Sequence, residues 1–284
     1  SRYGVRAILT PLFSALVVCL LWRAIQRRGW LAYAACGASL GLAMYTYQAS
    51  RALPVVVVLV VGYATLRKCV TLREGILAML LVAVTAVVIA LPLGVYFAEH
   101  PGALTERVDQ VFVLRDGTER SLWRSLADGV RRTVRVFSIE GDARPTINLP
   151  GRPALDRYLS VAFAAGLVIS VLRIQRAPSF VMLAWLGVMC VPGVMAEHGP
   201  TAKRIIGSLP AVMMLSATGL VYPAEAAWRI LSKTTGQRKL LGRAALVTVW
   251  SLVTLGGGAY SATVTYRDYF LVWGEDPALF TLFE

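Results

Sequence analysis

Carboxylates are scarce in this chain, and none precedes Glu74. The 284 residues hold 16 Asp and Glu against 29 Lys and Arg, with two histidines, His100 and His198. The opening quarter is thereby left without a carboxylate that could act as a general base. Charged residues make up 16% of the chain, well below the ~25% usual for soluble domains. Four cysteines are present, Cys19, Cys36, Cys69 and Cys190, and none has CxxC spacing. Three lie in apolar runs and Cys69 in a basic loop, so they read as packing residues rather than disulfides or zinc ligands. No zinc-finger, RNP, P-loop or HExxH pattern occurs. The formal charge of +13 is therefore not read as a nucleic-acid signature, and no nucleic-acid partner is expected.

Apolar residues are abundant: 57% of the chain is hydrophobic and the mean hydropathy is +0.62. They come in blocks such as "LPVVVVLVVGYATL" and "GILAMLLVAVTAVVIALPLGVYFA", bounded by charge. Long apolar blocks of this kind read as membrane spans. Lipid offers no partner to an open backbone, so the spans are helices, and the lack of alternation argues against a barrel. Eight spans are expected, near 7–22, 31–47, 53–66, 76–98, 158–172, 180–195, 205–222 and 244–264. Several fall short of the ~20 residues of a straight crossing, a deficit that flanking residues or local thinning can absorb. The expected fold is an all-α, multi-pass transmembrane helical bundle with an outer-face loop that contains an amphipathic helix. One membrane domain is expected: four spans over 1–98, the loop over 99–157, four spans over 158–264 and a tail over 265–284. The opening "SRYGVRA" has no Met and no signal-peptide shape. The expectation is a chain that begins inside a longer protein.

Basic residues crowd alternate short loops: Arg23, Arg27 and Arg28; Arg67, Lys68 and Arg73; Arg173 and Arg176; then Arg229, Lys233, Arg238, Lys239 and Arg243. Only Glu74 and Glu225 oppose them. The positive-inside rule puts these loops in the cytoplasm, and both termini and the 99–156 segment outside. Within that segment "SLWRSLADGVRRTVRVFS" places Leu122, Leu126, Val130 and Phe137 near one helical face, away from Arg124, Asp128, Arg131 and Arg135. That spacing predicts an amphipathic helix over Ser121 to Ser138. Pro92 and Pro192 sit near the outer ends of the fourth and sixth spans and predict kinks there.

Ionisable groups near membrane depth are costly and mark candidate functional positions. "FAEHPGA" and "MAEHGPTAKRIIGSLPA" each end a span at a Glu-His corner, Glu99 and His100, then Glu197 and His198. These four side chains are the candidate ligands of a divalent metal, although no single stretch has ligand spacing. Helix caps and loop contacts are the plainer use of such residues. Lys203 and Arg204 stand at the expected start of the seventh span. There a bound phosphate would meet both cations and free backbone N–H groups. The plainer alternative is snorkelling into headgroups. Tyr45, Gln48 and Arg51 follow one another at i, i+3 and i+6 and would line a polar cavity for a sugar or phosphate. An interfacial aromatic belt with an anchoring Arg is the alternative.

"SRYGVRAILTPL", "GLAMYTYQASRALP", "NLPGRPALD" and "TAKRIIGSLPAV" resemble the GT-C class of membrane glycosyltransferases. The nearest branch is the family 39-like one, related to protein O-mannosyltransferases and the lipid A aminoarabinose transferase. The resemblance runs over nearly the whole chain in hydropathy and loop order. It implies an enzyme of the plasma membrane that moves a sugar from a polyprenyl-phosphate donor to an acceptor at the extracytoplasmic face. Arg204 and Arg51, with Lys203, then hold the donor phosphate, and Tyr45, Gln48, Glu197 and His198 line the substrate cavity. One departure is plain. The family's catalytic carboxylate follows the first span, whereas this chain opens at what resembles the third span. The catalytic residue is therefore unassigned. A transporter or flippase of a lipid-linked or anionic solute, and a non-catalytic scaffold in contact with membrane lipids, are the other readings. Transporters favour internal repeats and broken helices at the midplane, and the best repeat here is only "AEH".

Overall fold

The computed structural model describes residues 6–100, 119–143, 149–196, 202–232 and 237–275. Every regular element among them is helical, and the chain is an all-α, multi-pass membrane bundle. In chain order the helices are α1 (Leu9–Arg27), α2 (Trp30–Ala43), α3 (Leu53–Leu66), α4 (Leu72–Glu99) and α5 (Glu119–Ser138), then α6 (Arg157–Leu172), α7 (Ala177–Val194), α8 (Ala202–Ile205), α9 (Leu209–Ser232) and α10 (Gln237–Tyr266). Six segments are long and apolar enough to cross a membrane: Leu9–Arg27, Gln48–Leu66, Leu72–Glu99, Ala177–Val194, Ala202–Ser232 and Leu240–Val272. The shorter apolar helices α2 and α6 complete the eight apolar segments expected.

Local chemistry explains the helix ends. β-Branched α3, rich in Val, is a poor helix in water, but lipid leaves its backbone no other partner. Pro54 sits in its first turn, where a missing N–H costs nothing. Thr71 and Glu74 close α4 with a reciprocal capping box: Thr71 N–H donates to Glu74 Oε2 at 2.8 Å, and Glu74 N–H to Thr71 Oγ1 at 3.2 Å. Asp156 caps α6 by accepting from Leu159 N–H at 3.0 Å. The prolines and glycine of "NLPGRPALD" keep the chain out of helix until that point. Pro92 and Pro192 lie inside α4 and α7, and both helices run on past them.

Contacts divide the chain into two compact units, residues 1–133 with 174–211, and 134–173 with 212–284. In the first, α2 packs against both α1 and α4. Val17, Leu21, Val56, Trp185 and Met189 form its buried centre. A Cβ at Gly37 would collide with Thr85 and the Val82 carbonyl, and one at Gly41 would press on the Ala86 carbonyl. These two glycines, four apart, let α2 and α4 approach backbone to backbone. One end of this unit is strongly basic. Arg28 reaches Glu74 at 3.3 Å and the Cys69 carbonyl at 3.5 Å. Tyr63 donates to the Gln175 carbonyl at 2.6 Å and stacks on Phe180 at 4.1 Å. The loops after α1, α3 and α6 therefore meet at one end, as alternate basic loops require.

In the second unit α6 and the body of α9 touch through Gly166 and Gly219. A Cβ on either would strike a main-chain carbonyl, of Leu215 or of Ala162. Arg152 donates from Nε to Asp268 Oδ2 at 2.7 Å and lies 4.7 Å over the Tyr269 ring. Asp268 and Tyr269 belong to the π-helical turn Arg267–Val272 that continues α10. The "NLPGRPALD" stretch is thus tied to the end of α10.

The amphipathic helix forms as α5, and its buried side includes part of the expected apolar face. Phe137 is buried and stacks near Phe163 at 5.6 Å, and Leu126 is half-buried. Val130 is 50% exposed, whereas Gly129 and Thr133 are buried. The stripe follows Leu126, Gly129, Thr133 and Phe137 because Gly129 permits close approach to the Val194 carbonyl. The Leu122 side chain lies outside the described residues.

Candidate functional site

The expected basic site falls in the first unit, where the backbone twice leaves regular α-helix. The first break is a 3-10 turn, Gln48–Ala52, between α2 and α3. The second is a 3-10 turn, Ile206–Ser208, between α8 and α9. Both turns pack against α7 and against α1. They hold the elements that carry Arg51 on one side and Lys203 and Arg204 on the other.

Each break corrects an expectation. Tyr45, Gln48 and Arg51 do not share one helix. α2 ends at Ala43, Tyr47 is extended (φ −149°, ψ 150°), and only then does the 3-10 turn begin. The chain must reverse between two adjacent helices, and Thr46 fixes that reversal. Its hydroxyl donates to the Ala43 carbonyl at 2.7 Å and lies 3.0 Å from Ser50 Oγ. Tyr45, Gln48 and Arg51 are all exposed. Tyr45 points back along α4 and donates to the Ile89 carbonyl at 2.9 Å.

Lys203 and Arg204, likewise, do not open the long helix. They sit on the four-residue α8, and α9 starts afresh at Leu209. Pro210 explains the break, since it offers no N–H to the carbonyl of Ile206 or Gly207. The Gly207 carbonyl is met by side chains instead: Trp185 Nε1–H donates at 3.1 Å and Ser14 Oγ lies at 3.1 Å. Ser208 donates to the Ile205 carbonyl at 2.7 Å and closes the α8 turn. The long-helix dipole invoked for a phosphate is therefore not available at Lys203 and Arg204.

Arg204 nonetheless has one enclosed nitrogen. Its Nη1 is covered by protein and, among the described residues, has no hydrogen-bond partner, as is also true of Arg243 Nε. Among the described residues, the ion pairs are Arg28–Glu74, Arg135–Glu140, Arg152–Asp268 and Arg229–Glu225. None involves Arg51, Lys203 or Arg204. Arg51 lies 5.6 Å over the Phe97 ring, which brings the end of α4 beside the Gln48–Ala52 turn. His100 caps that end, stacked on Tyr96 at 4.6 Å with Nδ1 3.1 Å from the Tyr96 carbonyl. Glu99 and His100 are exposed.

Glu197 and His198, the other half of the expected metal cluster and part of the expected cavity lining, lie outside the described residues. Among the described residues no three His, Cys, Asp or Glu side chains gather in a metal-binding group. Sequence reasoning missed the polar seam beneath the basic pair. Thr10, Ser14, Ser50 and Ser208 are fully buried, and Thr10 lies 3.5 Å from Thr46. The signal was present in "ILTPLFSALV", where Thr10 and Ser14 stand four apart in an apolar run. No protein-family model, curated protein or solved structure matches the chain.

Proposed function

We propose that the chain is the donor-binding part of a GT-C type membrane glycosyltransferase, acting at the extracytoplasmic face of the plasma membrane. The donor is a sugar carried on a polyprenyl phosphate. Arg204 takes the phosphate, and Lys203 and Arg51 add positive charge around it. The observation that carries this reading is the enclosed, unpartnered Nη1 of Arg204. A guanidinium cannot shed its proton to escape burial. An enclosed N–H without an acceptor is costly, and a phosphate oxygen supplies both a countercharge and the missing acceptor. The polyprenyl tail adds the apolar anchor that a membrane site offers.

In such a transfer the acceptor hydroxyl loses a proton to a base while the leaving phosphate gains negative charge. The basic residues stabilise that leaving group. The base is not assigned. Glu74 lies 25 residues along α4 from Glu99, roughly 38 Å at 1.5 Å per residue, at the basic end beside Arg28. The three basic loops gathered there support an orientation with the Arg204 end away from the cytoplasm.

The test is donor affinity and transfer rate in the full-length protein carrying Arg204→Ala, Arg204→Lys or Lys203→Ala. A charge-assisted contact contributes ~1.5–3 kcal/mol, so Arg204→Ala should weaken donor handling by roughly tenfold to a hundredfold. Lysine should recover only part, because it lacks the bidentate fork. Binding of donor without transfer points to a carrier or scaffold instead. A folded Arg204→Ala protein that handles donor like the parent refutes the site. Single cysteines at Lys68 and at His100, in a cysteine-free background, should label from opposite sides of the membrane.

A further inference from the structure

The first unit carries a second feature, separate from the Arg204 corner. A groove of about 460 Å³ runs between α3 and α4. Val58, Gly62 and Leu66 line it from α3, and Leu72, Ile76 and Leu80 from α4. It follows nine residues of each helix, eight steps or about 12 Å at 1.5 Å per residue. The lining is almost wholly apolar, and Leu66 and Leu72 at its end are 83% and 68% exposed. The α3–α4 turn closes the groove at this end, and it is cationic. Arg67, Lys68 and Arg73 are exposed there, and among the described residues none of them has a carboxylate partner. Glu74, the one acid nearby, is already engaged by Thr71 and Arg28. Lys68 also holds a left-handed backbone, φ 56°, at a helix end where glycine is the favoured residue.

An apolar channel along the helix axis, ending in cations without carboxylate partners, of which Arg67 lies 6.0 Å over the Tyr63 ring, matches one kind of molecule. We propose that the groove binds one acyl chain of an anionic phospholipid, with its phosphate held by Arg67, Lys68 and Arg73. A neutral lipid satisfies the groove but not the cations. A partner helix fills the groove but brings no charge to its end. A soluble phosphate reaches the cations but leaves the groove empty. The acyl chain and the headgroup of an anionic lipid meet both parts in the right order, and cations near a membrane surface favour such lipids.

The experiment titrates the purified full chain, in detergent, with phosphatidylglycerol and with phosphatidylcholine of the same acyl chains, and counts bound lipid by native mass spectrometry. Phosphatidylglycerol should bind at least about tenfold more tightly. Each cation removed should weaken it about fivefold, so Lys68→Gly with Arg73→Gln should cost about 25-fold. Lys68→Gly suits the left-handed backbone, so the melting temperature should hold or rise. Gly62→Phe tests the channel, because a Cβ at Gly62 meets nothing within 4 Å. Its ring should occupy the groove, leave melting unchanged and weaken phosphatidylglycerol about tenfold. Equal affinity for the two lipids overturns the headgroup assignment. Gly62→Phe with parental affinity overturns the groove, because headgroups would then adhere to the basic turn alone.

Discussion

The Gly207 carbonyl offers a direct test of how the α8–α9 corner is held. It is buried, Pro210 has no N–H to offer it from three residues on, and two side chains converge on it. Trp185 has one N–H and commits it to Gly207 at 3.1 Å. Ser14 has one proton and two acceptors in reach, Pro11 O at 2.9 Å and Gly207 O at 3.1 Å. Ser14→Ala should therefore cost little, about 0.5–1 kcal/mol, because the indole still satisfies the carbonyl. Trp185→Phe removes the committed donor and leaves a void in place of a fully buried indole, about 2–4 kcal/mol in all. The serine can then turn wholly to Gly207. In the double variant both side-chain donors are gone, and a carbonyl left without them adds a desolvation penalty of about 1–3 kcal/mol in water-like references. Hydrogen bonds in membrane bundles average nearer ~0.6 kcal/mol, so a coupling of about 1 kcal/mol is expected. The cavity term appears in both the Trp185→Phe and double variants and cancels in the cycle. Circular dichroism during SDS titration from mild detergent gives the four stabilities. A double variant within ~0.3–0.5 kcal/mol of the summed single effects would refute the reasoning.

Further outcomes concern both units. Gly219→Val should cost more than about 3 kcal/mol or abolish folded yield, because its side chain meets the Ala162 carbonyl. Gly187→Ala, where a Cβ meets nothing within 4 Å, should instead be neutral or gain up to about 1 kcal/mol in the same SDS titration. Arg152→Ala should destabilise by about 2–3 kcal/mol, since it leaves the partly buried Asp268 unpaired and strips the Tyr269 face. Arg152→Lys should recover less than half of that loss, measured the same way.

The helices were legible because lipid imposes one answer on a long apolar run. The expected 53–66 span agrees with α3 at both ends, since Pro54 marks the start and Arg67 follows the end. The breaks were less legible, because they depend on which helices lie side by side. "GLAMYTYQASR" reads as one helix until the chain has to reverse beside α3, and the Thr46 hydroxyl is the device that does so. "TAKRIIGSLP" contained its own warning in Gly207 and Pro210, which stop α8 after one turn. Close approach was legible only in part. "CGASLG" sets Gly37 and Gly41 four apart, but Gly166 and Gly219 become partners only through tertiary packing. The Arg204 position was read from composition and order. Its enclosure was not, because burial of one nitrogen is set by tertiary packing.

Irregular backbone at membrane depth persists only where protein or polar groups satisfy it. At this corner the side chains of Thr46, Ser208, Ser14 and Trp185 do so. Arg204 does not contribute to that satisfaction: its Nη1 has no acceptor. Its role in folding and its role in binding therefore make opposite predictions for Arg204→Met, which keeps length and apolar volume but removes the charge. Replacing a buried charge by a packed hydrophobe is often neutral or stabilising by about 1–4 kcal/mol. Without donor, the Arg204→Met protein should therefore be at least as stable as the parent in the SDS titration. With a polyprenyl-phosphate sugar present, the parent should gain stability in proportion to ligand concentration over its dissociation constant. The variant should gain little. A variant that is less stable than the parent without donor, and equally stabilised by it, would make Arg204 a structural residue and remove it from the site.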